Sequence, residues 1–361
     1  MKGAGSLAQR AGDASRASLA GAELPCARRA GRDPRPLQPG AAVHLDPPRE
    51  IAPGVVLVDA GYVRPKLAAC YVLRGGASAA VVDTAASSSV PRILAALAAF
   101  GIAPADVSHV IVTHVHLDHA GGAGKLMQAL PRATLVAHPR GARHLVDPSK
   151  LIAGTAEVYG EARFRELYGE IPPIAAARVV EAPDGFEVDL GGRVLRLLDA
   201  PGHAKHHLAV HDAATRGFFT GDAFGLSYRE ADSAKGPFVF PTTTPVQLDP
   251  PALRGTVARL LSEQPERIYL THFGMLEGDI PSAARQLLAA LDEHVRLARA
   301  AAPGPGRHAA LRDALGDQLL RGLAAHGAPL SREEALAVFG ADLELNAQGL
   351  EVWLDGQAPK G

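Results

Sequence analysis

The order of strand-like and helix-like segments between residues 51 and 271 constrains the fold more than any other feature of this chain. Apolar runs rich in β-branched residues are separated by Gly-containing turns, which is typical of consecutive strands. The predicted strands of the first set cover residues 54–59, 68–73, 79–83, 108–113 and 134–137, with a helix over 88–100. The predicted strands of the second set cover residues 178–181, 186–190, 193–198, 208–211, 217–220 and 267–271, with a helix over 253–261. Two such sets predict an α/β protein in which two sheets pack together and the helices lie outside.

The remaining segments are predicted to be helical or irregular. Residues 139–175 form a helical insertion, and further helices cover 283–300, 308–326 and 331–339. The last of these begins with a capping box, Ser331 and Glu334. The first fifty residues are rich in Ala, Gly, Arg, Ser and Pro without a sustained apolar period, which favours disorder over the alternative of a transit peptide. We therefore predict a disordered tail (1–50), an α/β domain (51–280) and a small C-terminal helical appendage (281–361).

Charge, cysteine content and hydropathy limit the binding partners and the cellular compartment that we expect for this chain. Lys+Arg number 37 against 38 for Asp+Glu, so no global basic field favours nucleic acid, and a small-molecule substrate is expected. Cys26 and Cys70 are the two cysteines, which excludes a disulfide scaffold and a four-thiolate site and is compatible with a reducing cytoplasm. No apolar run reaches about 18 residues, so we predict a cytoplasmic protein without a membrane partner. The oligomeric state stays open, with a homodimer as one alternative.

A cluster of histidines and one aspartate follows the predicted strand 108–113. It contains His114, His116, Asp118 and His119, and a glycine-rich turn comes next. Alternation along an extended chain places His114 and His116 on one side, and the turn brings Asp118 and His119 toward a neighbouring point. One short loop can thus offer two ligands to each of two adjacent metal positions. Imidazole nitrogens with a carboxylate suit zinc and its first-row neighbours better than calcium or magnesium.

Three more potential ligands stand at the ends of later predicted strands. His203 lies in a Pro-Gly-His sequence after 193–198, Asp222 follows 217–220, and His272 follows the strand that begins at residue 267. Each therefore occupies the same kind of position as the first cluster. Together the seven side chains predict a metal site that activates water.

These motifs, in this order, resemble the metallo-β-lactamase superfamily over roughly residues 50–275. The resemblance implies an αββα sandwich with the site along one edge of the two sheets. It implies one metal ion on His114, His116 and His203, a second on Asp118, His119 and His272, and a bridge through Asp222. Two positions around the ligands also match the family. Asp83 would orient a ligand histidine, and His207 matches the second histidine after the Pro-Gly-His sequence, although the intervening Ala-Lys-His differs from the family pattern.

The expected chemistry is hydrolysis by a binuclear centre. Two metals about 3.5–4 Å apart can share a hydroxide whose pKa falls toward neutrality, and the hydroxide attacks an ester, thioester or lactone carbonyl. Asp118 is the predicted catalytic residue, because it can pass a proton to the leaving group. Zinc is the expected metal, with iron or manganese as alternatives.

Other functions on the same residues stay open at this point. The presence of Asp222 is typical of the glyoxalase II, lactonase and nuclease branches of the superfamily, of which the first two fit best. A mononuclear iron persulfide dioxygenase, a phosphodiesterase and a non-catalytic binding module are the alternatives. Tyr159, Tyr168 and Tyr228 are candidates for a substrate pocket, although aromatic residues at helical spacing also form cores.

Overall fold

Two mixed β-sheets form the centre of the protein. The computed structural model describes residues 45–243 and 247–357. The first sheet contains, in spatial order, β1 (Arg49–Ala52), β2 (Val55–Asp59), β3 (Ala69–Arg74), β4 (Ala79–Val82), β5 (Val107–Ile111), β6 (Thr134–Ala137) and β7 (Val179–Glu181). Strands β1 to β4 pair antiparallel, and β4 to β7 pair parallel.

The second sheet follows in the chain. Its strands are β8 (Phe186–Asp189), β9 (Val194–Asp199), β10 (Leu208–Asp212), β11 (Gly217–Gly221), β12 (Arg267–Leu270) and β13 (Gly274–Glu277). Their spatial order is the reverse of their chain order, from β13 to β8, and only β11 and β12 pair parallel.

Strand alternation assigns the side chains to layers. On β2, Val55 and Leu57 face the core between the two sheets, whereas Val56 and Val58 face the outer side of the first sheet. Helices cover both outer faces, and their bounds are α1 (Val90–Ala99), α2 (Leu117–Ala120), α3 (Ala123–Ala129), α4 (Pro139–Val146), α5 (Ser149–Tyr159), α6 (Glu161–Tyr168), α7 (Pro250–Ser262) and α8 (Ile280–Ala300). Helices α1 to α6 pack on the first sheet, and α7 and α8 pack on the second. This arrangement confirms the predicted αββα sandwich.

Two long helices complete the chain after α8. Helix α9 covers Arg307–His326 and α10 covers Arg332–Gln357. Their apolar faces, which include Leu315 and Phe339, continue the core between the sheets. The capping box before α10 is confirmed, because Ser331 N–H donates to Glu334 and Glu334 N–H donates back to the Ser331 hydroxyl.

Several predicted boundaries differ from the structure. The sequence predicts a last helix that ends at residue 339, but this helix continues to Gln357, and the short edge strands β1 and β13 were not predicted. The predicted tail lies outside the described residues up to residue 44, and β1 begins inside it at Arg49. Across 45–243 and 247–357, no helix is both long and apolar enough to cross a lipid bilayer.

Strand direction brings the predicted site residues to one edge of the sandwich. The parallel pairs β4–β5 and β11–β12 each end at one edge of their sheet. Asp83 follows β4, His114 follows β5, Asp222 follows β11 and His272 follows β12. The two edges meet there, since Ala69 N–H of the first sheet donates to the Thr271 carbonyl of the second at 2.8 Å.

Candidate metal centre

The histidine cluster lies where the chain leaves β5 and enters α2. His114 and His116 stand in the extended segment before the helix, and the Nε2 atom of His114 lies 2.8 Å from the Nδ1 atom of His116. The Nε2 atom of His203 lies 3.2 Å from the same Nδ1 atom. Three histidine nitrogens from two loops therefore converge on one point.

Asp222 faces both halves of the site. Its Oδ2 atom lies 3.2 Å from His203 Nε2, and its Oδ1 atom lies 3.3 Å from His119 Nε2 and 3.6 Å from His272 Nε2. The carboxylate therefore stands between the His203 side and the His119–His272 side.

Asp118 is one of the partly exposed residues of the site. Its Oδ2 atom lies 3.3 Å from His272 Nε2 and 3.7 Å from His119 Nε2. The Asp118 side chain is 29% exposed, whereas those of His272 and Asp222 are 9% and 5% exposed. Asp118 is therefore more accessible to a reactant than these two neighbours.

The described residues offer donor atoms in overlapping groups whose members lie within 4.8 Å of one another. The groups are His114–His116–His203, His114–His119–Asp222 and Asp118–His119–His272. The buried Nε2 of His119 and Oδ1 of Asp222 have no hydrogen-bond partner among the described residues. An unsatisfied buried polar atom is costly, and bound cations between these atoms would satisfy them. The donor set therefore fits bound metal ions.

Outer hydrogen bonds hold the inner histidines in place. The Nδ1 atom of His119 donates to Asp83 at 2.9 Å, that of His272 to the Leu67 carbonyl at 2.8 Å, and that of His203 to the Thr242 carbonyl at 3.3 Å. With Nδ1 used as the donor, each ring points its Nε2 toward the centre, where this atom offers a lone pair once it carries no proton.

Asp83 joins the ends of three strands. Besides His119, it accepts hydrogen bonds from the Thr113 N–H at 2.8 Å, the Thr113 hydroxyl at 3.0 Å and the Thr271 hydroxyl at 2.8 Å. Thr113 belongs to the first sheet side and Thr271 to the second. One buried carboxylate thus connects both sheets to a histidine of the site.

His207 supports the turn that carries Asp222. Its Nε2 atom accepts a hydrogen bond from the Asp222 N–H at 3.1 Å, and its ring stacks on His114 at 4.7 Å. Gly221 has a φ of +47°, and a Cβ there would lie 2.6 Å from the Thr113 hydroxyl and 2.7 Å from His207 Nε2. Only glycine fits this turn without displacing its neighbours.

The pKa shifts of His114, His116 and Asp222 match those expected of metal ligands. Burial, followed by the neighbouring histidines, holds the pKa of His114 and of His116 well below the ordinary value. Burial alone would raise the pKa of Asp222, but His119 and His203 hold it well below its ordinary value. The site thus combines neutral imidazoles with an ionised carboxylate, the forms that ligate divalent cations.

The Asp118–His119–His272 group holds protons that a cation would displace. Burial opposes protonation, but Asp222 and Asp118 raise the pKa of His272 to about 9 and that of His119 well above its ordinary value. Cation binding here would therefore release protons and become tighter as the pH rises.

Two of the three predicted pocket tyrosines lie on the Asp118 side. Tyr168 contacts Tyr159 with 6.2 Å between ring centroids, and it stacks on Tyr62 at 5.9 Å. Burial, and then the charge of Asp118, raise the pKa of Tyr62 well above its ordinary value and that of Tyr159 to about 12. Sequence reasoning missed Tyr62, although its position three residues after β2 could have indicated it.

Tyr228 lies under the C-terminal helix α10. It is buried against Phe339 with 5.2 Å between ring centroids, and its hydroxyl donates to Asp342 at 3.2 Å. Burial raises the pKa of Asp342 to about 6, while the charge of His272 acts against that rise. Asp342 was missed because a single aspartate inside a long helix carries no local signal.

The chain is similar to known proteins to different extents. A family model described as the metallo-beta-lactamase superfamily matches residues 63–272. A metallo-beta-lactamase fold-containing protein of Sulfurisphaera tokodaii is 27% identical over 232 residues, 63% of this chain and 81% of the relative. A hydroxyacylglutathione hydrolase of a Synechococcus strain is 32% identical over 146 residues, 40% of this chain and 44% of the relative. A metallo-beta-lactamase family protein from Thermus thermophilus shares the fold, with a TM-score of 0.57, 22% identity, and coverage of 81% of this chain and 95% of that one.

Proposed function

The chain belongs to the metallo-beta-lactamase superfamily, and from this premise we propose that it is a binuclear metal-dependent hydrolase of carboxylic thioesters, esters or lactones. The observation that carries the proposal is the position of Asp222, whose two oxygens face His203 on one side and His119 on the other. A carboxylate so placed suits a pair of cations rather than one.

The residues that would hold the ions follow from the donor groups. His114, His116 and His203 would hold one ion, Asp118, His119 and His272 the other, and Asp222 would bridge them. When bound, two divalent ions, zinc by preference and iron or manganese as alternatives, would lower the pKa of a bound water and polarise the oxygen on which charge develops.

Asp118 is the group of this chain best placed to move a proton. Its side chain is 29% exposed, more than that of His272, beside which it lies. Burial would raise its pKa, but His119 and His272 hold it well below its ordinary value, so the carboxylate is ionised at neutral pH. Asp118 can therefore accept a proton from the attacking water and return it to the leaving group.

Among the three substrate classes, a thioester requires the least proton donation to its leaving group. A thiol has a pKa of about 8.5, so a thiolate leaves with little proton donation, whereas an alkoxide requires it. The name of the hydroxyacylglutathione hydrolase relative supports the same class, although the match spans under half of that protein. The aromatic side chains Tyr62, Tyr159 and Tyr168, next to Asp118, would contact the acyl part of the substrate.

The first test measures metal content and reaction class together. The full chain is purified, its zinc, iron and manganese are quantified, and the protein is then stripped with a chelator and reloaded with each metal. We expect two ions per chain, and hydrolysis of acyl thioesters that the chelator abolishes and zinc restores. Asp222→Asn should lose this activity, whereas Asp313→Asn, an exposed carboxylate on α9, should keep it.

Other outcomes would contradict the proposal. A single iron per chain with oxygen consumption on a persulfide would replace hydrolysis by dioxygenation. Cleavage of phosphodiesters alone would leave the metal site intact but overturn the substrate class. Failure of the metal-loaded protein to turn over any of these substrates would indicate a binding module.

A further inference from the structure

Asn346 is a buried polar residue of α10, far outside the part of the chain that the family model matches. Its side-chain oxygen accepts hydrogen bonds from the Thr243 N–H at 2.8 Å and from the Thr243 hydroxyl at 3.1 Å. Its amide nitrogen donates to the Pro241 carbonyl at 3.0 Å. The side chain is fully buried, so each of these bonds would be costly to leave unmade.

The segment held by Asn346 contacts the metal centre. Thr242 lies between the two residues that Asn346 binds, and its carbonyl accepts the hydrogen bond from His203 Nδ1 at 3.3 Å. The other ring nitrogen of His203 lies 3.2 Å from Asp222 Oδ2. A continuous path of contacts therefore runs from α10 through the loop to the inner face of His203.

We propose that Asn346 is a positioning residue for the metal centre: by clamping Pro241 and Thr243, it fixes the Thr242 carbonyl that orients His203. The inference rests on the proposed function, since it takes His203 as a ligand. Removal of such outer partners costs about 10- to 100-fold in metal affinity in other metal sites. The C-terminal helices thus act on the centre as well as covering the core.

The chain offers a matched control for the loss of a buried amide. Gln318 on α9 is also buried, and its amide donates to the Ala290 carbonyl rather than to the loop that Asn346 holds. Asn346→Leu and Gln318→Leu therefore make the same chemical change, and only the first breaks the path to His203.

The experiment titrates the full-length, metal-free chain with zinc against a chelating dye and records the visible spectrum after loading with cobalt(II). We expect Asn346→Leu to bind one of the two ions about 10- to 100-fold more weakly and to shift the cobalt bands, and Gln318→Leu to match the wild type in both. In a His203→Ala background, Asn346→Leu should weaken binding little further, because the partner through which it acts is gone.

The opposite results separate the two proposals. A wild type with two ions and an Asn346→Leu variant indistinguishable from Gln318→Leu would overturn the role of Asn346 alone. A wild type that binds fewer than two ions would overturn the binuclear function and this inference with it. If Asn346→Leu does not fold, Asn346→Asp takes its place. This variant keeps the shape and the acceptor but loses the donor to Pro241, and the same outcomes are expected for its zinc affinity and cobalt spectrum.

Discussion

His119 donates a hydrogen bond from Nδ1 to Asp83 at 2.9 Å, and both side chains are almost completely buried. The bond turns Nε2 of His119 toward Asp222 and Asp118. Since Asp83 also holds the ends of strands from both sheets, the orientation of a candidate ligand depends on the same carboxylate that joins the sandwich.

Asp83→Asn should weaken both metal binding and the fold. Asparagine tolerates the positive φ of this position, 56°, so the backbone is expected to stay in place. However, the side-chain NH2 group of asparagine is a donor, and it would face the donors of Thr113, His119 or Thr271. We expect about 10- to 100-fold weaker zinc binding and a loss of about 1–3 kcal/mol in unfolding free energy, measured by metal titration and urea denaturation. Unchanged zinc affinity would contradict the orienting role of Asp83.

Asp222→Asn should affect both ions at once. The amide has one acceptor oxygen where the carboxylate has two charged ones, so it cannot serve the His203 and His119 sides equally. We expect bound metal to fall below two ions per chain and kcat to fall by more than about 100-fold, a larger effect than loss of an outer partner. Metal analysis and steady-state kinetics check this, with Asp313→Asn as the control; two tightly bound ions in Asp222→Asn would argue against a bridge.

Gly221→Ala tests the turn that presents Asp222. The new Cβ would approach the Thr113 hydroxyl to 2.6 Å at a φ of +47°, so both strain and overlap are expected. We expect unfolding free energy to fall by about 2–4 kcal/mol, together with weaker metal binding. Gly255→Ala, inside α7 with no neighbour within 4 Å, should instead be neutral or stabilising. Equal behaviour of the two variants in urea denaturation would contradict this prediction.

The sequence predicted those parts of the site that follow from strand ends. The His114–His119 cluster is compact in sequence, and His203, Asp222 and His272 each follow a recognisable apolar strand. The resemblance to the superfamily implied that these side chains meet at one edge, and the structure gives the reason for Asp83, His114, Asp222 and His272, which follow the parallel pairs β4–β5 and β11–β12.

The parts that were missed depend on tertiary packing. Asn346 and Asp342 lie on a helix face, and nothing in the local sequence says which loop that face covers. The end of α10 was misplaced because Gly340 and Gly349 weaken the helical signal, although packing against the core compensates for them. The short edge strand β1 contains two charged residues in four, so its pattern carries no clear period.

His294 provides a test of stability that is separate from the metal centre. It is fully buried on α8 against Phe240, at 5.2 Å between ring centroids, and neither ring nitrogen has a partner among the described residues. Burial lowers the pKa of its imidazole to about 3. In the unfolded chain, a histidine has a pKa of about 6.5. Between about pH 3 and pH 6.5, His294 is therefore protonated in the unfolded chain and neutral in the folded protein.

Stability should consequently fall as the pH decreases through this window, and His294 should account for about 2 kcal/mol of the loss between pH 7 and pH 5. His294→Leu removes the titrating group. From pH 7 to pH 5, the unfolding free energy of this variant should therefore fall by about 2 kcal/mol less than that of the wild type, whatever the stability of the variant at pH 7. Leu291→Ala, at a buried position on the same helix, should be destabilised equally at both pH values and serves as the control. Urea denaturation at pH 7, 6 and 5 measures these unfolding free energies. If the difference between His294→Leu and the wild type is the same at all three pH values, the buried imidazole is not the source of acid sensitivity.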